Sequence, residues 1–135
     1  MTLIFTLKET PEFVFQHLGD MNLFVRYHPV IYKIEATGSN SWRVFEKLNL
    51  GFFTWSFTYP ATVEADEKTS SISMKANVLS LVHVHIFFQI SSENGITKVG
   101  DEITFRSVLP IQFLLQSIFR KQHTQLFANL DKVEI

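Results

Sequence analysis

Residues 110–130, PIQFLLQSIFRKQHTQLFANL, decide how the rest of this chain is understood. Ile111, Leu114, Leu115, Ile118, Phe119, Leu126, Phe127 and Leu130 recur there at helical spacing, and Pro110 is suited to opening a helix. The result is one broad apolar stripe on a predicted helix of about 20 residues, roughly 30 Å long, enough to lie across a whole sheet. Earlier stretches supply that sheet. Phe53, Trp55, Phe57 and Tyr59 alternate along one run, and Val82, Val84, Ile86, Phe88 and Ile90 along another. Successive strand side chains point to opposite faces, so each run lines one side of a sheet with bulky apolar groups that must be covered.

The remaining punctuation completes the order of elements. Leu3 to Lys8 is a short predicted strand. Thr10 and Pro11 then start a helix, since the hydroxyl accepts from an orphan amide and proline fits the first turn. Asp20 starts a second helix, and Pro29 disfavours helix at His28. From Ile31 onward, period-two runs are separated by turn residues at 38–41, 49–51, 66–68 and 92–95, of which Asn94-Gly95 is the strongest hairpin signal. Short connections between successive strands imply an antiparallel meander. The predicted fold class is α+β: a seven-stranded curved antiparallel sheet around a long C-terminal helix, with two short helices after the first strand. Residues 1–135 form a single predicted domain, close to the commonest domain size.

Composition narrows the function classes. The 12 basic and 13 acidic residues are spread along the chain and leave a net charge of −1, so nucleic acid is not an expected partner. The apolar stretches 78–90 and 108–119 are interrupted by His83, His85, Gln112 and Gln116. Both fall short of the ~20 residues a bilayer span needs, so no stable membrane insertion is expected. Residues 1–13 lack the basic region and long apolar run of a signal peptide. The absence of cysteine excludes disulfides and catalytic thiols, and fits a cytoplasmic location. A homodimer is compatible with the sequence.

The segments Thr10-Pro11-Glu12-Phe13-Val14-Phe15, Leu18-Gly19-Asp20, Phe24, His28-Pro29, Ile34-Glu35, Gly38 and Trp42-Arg43-Val44 resemble the opening of one superfamily. It is the START-like or SRPBCC group of polyketide cyclase/dehydrase and lipid-transport proteins, with the Bet v 1-like helix-grip fold. The likeness continues through Glu102-Ile103-Thr104-Phe105 and the closing helix. It implies a deep cavity between the sheet and the C-terminal helix, which in different members accepts sterols, polyketides, quinones, plant hormones or fatty chains. Some members catalyse cyclisation or dehydration, and many only carry a ligand. No residue set is common to the catalytic members, so the resemblance assigns no catalytic residue here.

Taking the apolar side of each strand as inward, the candidate cavity residues are Tyr32, Trp42, Val44, Glu46, Phe53, Trp55, Phe57, Met74, Val84, Ile86, Phe88, Asp101 and Ile103, with Leu115 and Phe119 from the helix. Two of these are carboxylates on otherwise apolar faces. If Glu46 or Asp101 points inward, desolvation raises its pKa toward the range of a general acid or base, or it orients a ligand. If a β-bulge intervenes, the same residue faces outward, because one extra residue flips every side chain beyond it. His28 is placed near the cavity entrance, either touching a ligand head or capping its helix. His83 and His85 share a strand face without a third ligand, so no metal and no cofactor are expected. Gly-x-Ser-x-Gly and phosphate-cradling glycine loops are absent. The expected function is therefore binding or transport of an apolar small molecule, with a cyclase/dehydrase-like enzyme using the cavity carboxylates as the alternative. A sheet packed solid, serving as an interaction module, is the third possibility.

Overall fold

The computed structural model describes residues 1–49 and 51–132. Leu50, in the expected turn at 49–51, lies outside the described residues. The order is β1 (Thr2–Leu7), α1 (Pro11–Gly19), α2 (Met21–Tyr27), β2 (Ile31–Ala36), β3 (Ser41–Asn49), β4 (Thr54–Asp66), β5 (Ser71–Val78), β6 (Val82–Glu93), β7 (Ile96–Ser107) and α3 (Gln112–Asp131). Both short helices start at side-chain caps. Thr10 Oγ1 accepts from the Phe13 amide at 3.2 Å, and Asp20 Oδ1 accepts from the Asn22 amide at 2.9 Å. Each satisfies one backbone donor that has no partner inside its helix.

Seven strands form one antiparallel sheet in the order β1-β7-β6-β5-β4-β3-β2. The α+β helix-grip architecture is that expected from the sequence. Asn94 and Gly95 both adopt positive φ, 54° and 80°, as a tight hairpin requires. A second such turn lacks any glycine or asparagine. Leu79 and Ser80, at φ 57° and 55°, join β5 to β6, and the Leu81 amide donates to the Val78 carbonyl at 3.0 Å.

One bulge alters the register, between Ile31 and Lys33 in β2. Ile31 and Ile34 remain on the inner side while Tyr32 is turned out. Its ring lies 6.2 Å from that of Phe45, with Lys47 Nζ 4.8 Å above it. The expectation that Tyr32 faces the cavity is thus corrected by a bulge at the mouth of the first hairpin.

The C-terminal half of α3 is the part that seals the core. Leu126, Phe127 and Leu130 are buried, with Phe127 stacked on Phe5 at 4.4 Å and edge-on to Phe88 at 5.8 Å. Asn129 Nδ2 donates to the Tyr27 carbonyl at 2.8 Å, and Asp131 Oδ1 accepts from the Lys8 amide at 2.8 Å. These bonds tie the helix end to α2 and to the exit of β1. The first half of α3 behaves differently, with Phe113 and Leu114 exposed and Leu115, Ile118 and Phe119 only half-buried. The stripe is therefore not uniformly packed, because the helix is held at its far end against β1, β7 and α2. Among the described residues no helix is long and apolar enough to cross a membrane.

Candidate ligand cavity

Where the first half of α3 stands away from the sheet, a cavity of about 280 Å³ remains. Strands β3 to β6 supply its floor through Leu48, Phe57, Ala76, Val84 and Ile86, and Leu115, Ile118 and Phe119 form its roof. The strand pairings explain why these residues meet. Leu48 lies opposite Trp55, Ala61 opposite Ala76, and Ala76 opposite Val84, so one alternate set from each strand forms a continuous surface. Ala76 in the middle of that surface fills little volume, which leaves the space beneath Phe119 open. At the outer end, Trp55, Leu79, Leu109 and Leu114 line the cavity and are also exposed, which makes this end the mouth.

The inner end is polar. A smaller chamber of about 60 Å³ shares Glu46, Tyr59 and Gln122 with the main cavity and adds His28 and His123. The Tyr59 hydroxyl donates to Glu46 Oε1 at 2.8 Å, while Oε2 bonds none of the described residues. Burial pushes the Glu46 carboxyl above its ordinary range, an effect only partly opposed by the Tyr59 hydrogen bond. Tyr59 is held well above the usual phenol range by burial, and then by the charge and hydrogen bond of Glu46. Glu46 Oε2 is thus the polar atom that the pair leaves for a ligand group.

His28 is also neutral, for two separate reasons. Burial pulls the imidazole down to about 3, with charge repulsion from His123 adding to the fall. Independently, the Val30 and Ile31 amides donate to Nδ1 at 3.3 and 3.2 Å, so that nitrogen is an acceptor and the proton resides on Nε2. The ring thus closes the C-terminal end of α2 as an acceptor for the next two amides in the chain. It lies at the inner end of the cavity rather than at the entrance where the sequence placed it.

The structure brings together about two thirds of the residues singled out in the sequence. Glu46, Trp55, Phe57, Val84, Ile86, Leu115 and Phe119 line the main cavity, and His28, Val44 and Met74 line the inner chamber. Trp42 instead packs at the edge of the main core, and Phe53 is exposed just before β4. Phe88 and Asp101 face inward but are sealed beneath the second half of α3, while Ile103 is buried with Leu3 and Val84 in a cluster that Leu115 and Phe119 pack against. Asp101 Oδ2 is hydrogen-bonded to His123 Nδ1, and its other oxygen has no partner among the described residues. That pair joins a strand to a helix 22 residues away, and no spacing signals it. Gln122 and Tyr59 carried no functional assignment either. Tyr59 reaches Glu46 as a diagonal neighbour across the β3–β4 pair, a relation visible only once register is known. His83 and His85 lie on the exposed outer face, where His85 Nε2 is 2.8 Å from Ser73 Oγ. Among the described residues no group of three or more His, Cys, Asp or Glu side chains is arranged to hold a metal ion.

No family model matches the chain, and no curated protein matches it significantly. Solved structures do match across nearly its whole length. The crystal structure of Ara h 8.0201 superposes with a TM-score of 0.77 at 15% identity, covering 97% of this chain and 93% of that one. TTHA0849 from Thermus thermophilus gives 0.76 at 14% identity, covering 98% and 94%. The ZhuI aromatase/cyclase from Streptomyces sp. R1128 gives 0.71 at 11% identity, covering 96% and 89%. At such identities the likeness is one of backbone, and the chain shares the helix-grip fold of these structures.

Proposed function

We propose that this chain, acting as a single domain, binds one elongated apolar molecule with a polar group at its leading end, of the lipid, sterol, quinone or polyketide-like kind. The observation that carries this reading is an apolar cavity ending on a hydrogen-bonded carboxyl–phenol pair, Glu46 and Tyr59. Apolar walls supply affinity without selectivity, and one buried polar pair fixes orientation. The main cavity, at about 280 Å³, lies just under the lower bound of about 300 Å³ for small-molecule sites, which favours a slender ligand. A molecule of about 20 heavy atoms at ~0.3 kcal/mol per atom gains ~6 kcal/mol, a dissociation constant in the tens of micromolar. A cysteine-free chain suits this role in the cytoplasm.

The alternative, a cyclase- or dehydrase-like enzyme, is favoured by one specific feature. Glu46, hydrogen-bonded to Tyr59, is a carboxyl lining the cavity whose Oε2 bonds none of the described residues, which suits it to act as an acid or base. The two readings separate on one variant. In a Trp42→Phe background, fatty acids, sterols and quinones should change Trp55 fluorescence and raise the melting temperature, and Ala76→Phe should abolish both by filling the floor. Glu46→Gln should weaken binding by about tenfold if the carboxyl orients the ligand. Turnover lost with binding intact would make it a catalytic acid. An apolar library that produces neither signal rules out both readings.

A further inference from the structure

The mouth of the cavity is ringed by large apolar side chains that nothing in the fold covers. Phe52 is 90% exposed, Phe113 89% and Val108 74%, and Leu79 and Leu114 are each more than half exposed. They come from three separate connections and the first turn of α3, yet they converge. Leu79 and Leu114 line the same cavity, the Val108 amide donates to the Leu81 carbonyl at 3.1 Å, and Phe52 packs on Phe53 at 4.8 Å immediately before β4. Scattered exposed hydrophobics are ordinary on a monomer, whereas a convergent set around one opening marks an interaction surface. Leu79 adds a second observation. It occupies the left-handed region, at φ 57°, in a turn that favours asparagine or glycine, so an apolar residue is held at this tip against its backbone preference.

Charge identifies what this surface meets. The three stretches that build the mouth end, 47–58, 75–85 and 104–121, contain Lys47, Lys75, Arg106, Arg120 and Lys121 and no aspartate or glutamate. The thirteen acidic residues of the chain all lie outside them. A chain with net charge −1 thus presents an end that is apolar at the tip and wholly positive behind it. That is the pattern an anionic bilayer surface selects: apolar side chains enter the interface while basic groups sit among the headgroups. We propose that the protein docks peripherally on anionic lipid bilayers through this rim, with the cavity mouth facing the membrane. Docking of this kind is independent of whether the cavity holds a ligand.

The test is co-sedimentation of the full chain with vesicles of equimolar phosphatidylcholine and phosphatidylglycerol, beside vesicles of phosphatidylcholine alone. Binding to the anionic vesicles should fall with added salt and be much weaker on the neutral ones. The double variant Phe52→Ser/Phe113→Ser should weaken it by about tenfold or more, with the melting temperature unchanged because neither ring is buried. Lys47→Gln and Arg106→Gln should each weaken it by about fivefold, as expected for one basic group near a charged surface. No binding to anionic vesicles, equal binding to neutral ones, or binding indifferent to these substitutions overturns the proposal. So does a concentration-dependent dimer of the native chain that the double variant abolishes, since the rim would then be a self-interface.

Discussion

His28 makes the stability of this protein depend on pH in a way its other side chains do not. Its imidazole falls from an ordinary 6.5 to about 3 in the folded chain, chiefly through burial. On acidification the unfolded chain takes up a proton at this residue while the folded chain does not. Stability contributed by the neutral ring is therefore complete above pH 6.5 and lost as pH falls toward about 3. The slope is about 1.4 kcal/mol per pH unit, which amounts to about 2 kcal/mol between pH 6.5 and 5 and about 5 kcal/mol in the limit. Glu46 acts with the opposite sign. Its raised folded pKa means that its contribution is present below the unfolded value of 4.5 and is lost as pH rises through the folded one. The two slopes oppose each other in the wild-type protein, so the informative quantity is a difference between proteins. His28→Asn keeps a side-chain acceptor for the Val30 and Ile31 amides but does not titrate. Urea unfolding at a series of pH values should show the wild-type protein losing about 2 kcal/mol relative to His28→Asn from pH 6.5 to 5. Glu46→Gln should become steeper than wild type just above pH 4.5, having lost the opposing slope. Parallel curves for wild type and His28→Asn would show that the ring is not held neutral and would refute the reasoning.

Two further outcomes test the packing. Phe127→Ala removes a buried ring stacked between Phe5 and Phe88 and should cost about 3–5 kcal/mol, whereas Phe119→Ala, on the half-buried cavity roof, should cost less than half as much and enlarge the cavity; equal losses in equilibrium unfolding would contradict an anchored second half of α3. Asp101→Ala should cost about 3–5 kcal/mol by leaving His123 buried without its partner, and Asp101→Ala/His123→Leu should recover part of that loss; a single variant costing under about 1 kcal/mol would show that the pair carries no structural role.

The α+β architecture was legible in the sequence because it rests on local signals. Thr10-Pro11, Asp20, Pro29 and Asn94-Gly95 act within a few residues of themselves, and the alternation through residues 53–59 and 82–90 marks an inner face irrespective of what covers it. Glu46, Phe57, Val84 and Ile86 could be assigned to that face before any neighbour was known. Other features were decided by tertiary structure, because each depends on groups far apart in the chain. The bulge that turns Tyr32 outward has no signature of its own, and neither does the Leu79-Ser80 turn. Periodicity shows which side of α3 is apolar but not how far each turn stands from the sheet. Hence Leu115 and Phe119 line a cavity while Phe88 and Asp101 are sealed beneath His123 and Phe127. The Tyr59–Glu46 and His123–Asp101 bonds follow from strand register and from where the helix rests. A sequence records the preferences of each residue and its near neighbours, whereas which distant side chains meet is determined by the packing of whole elements against one another.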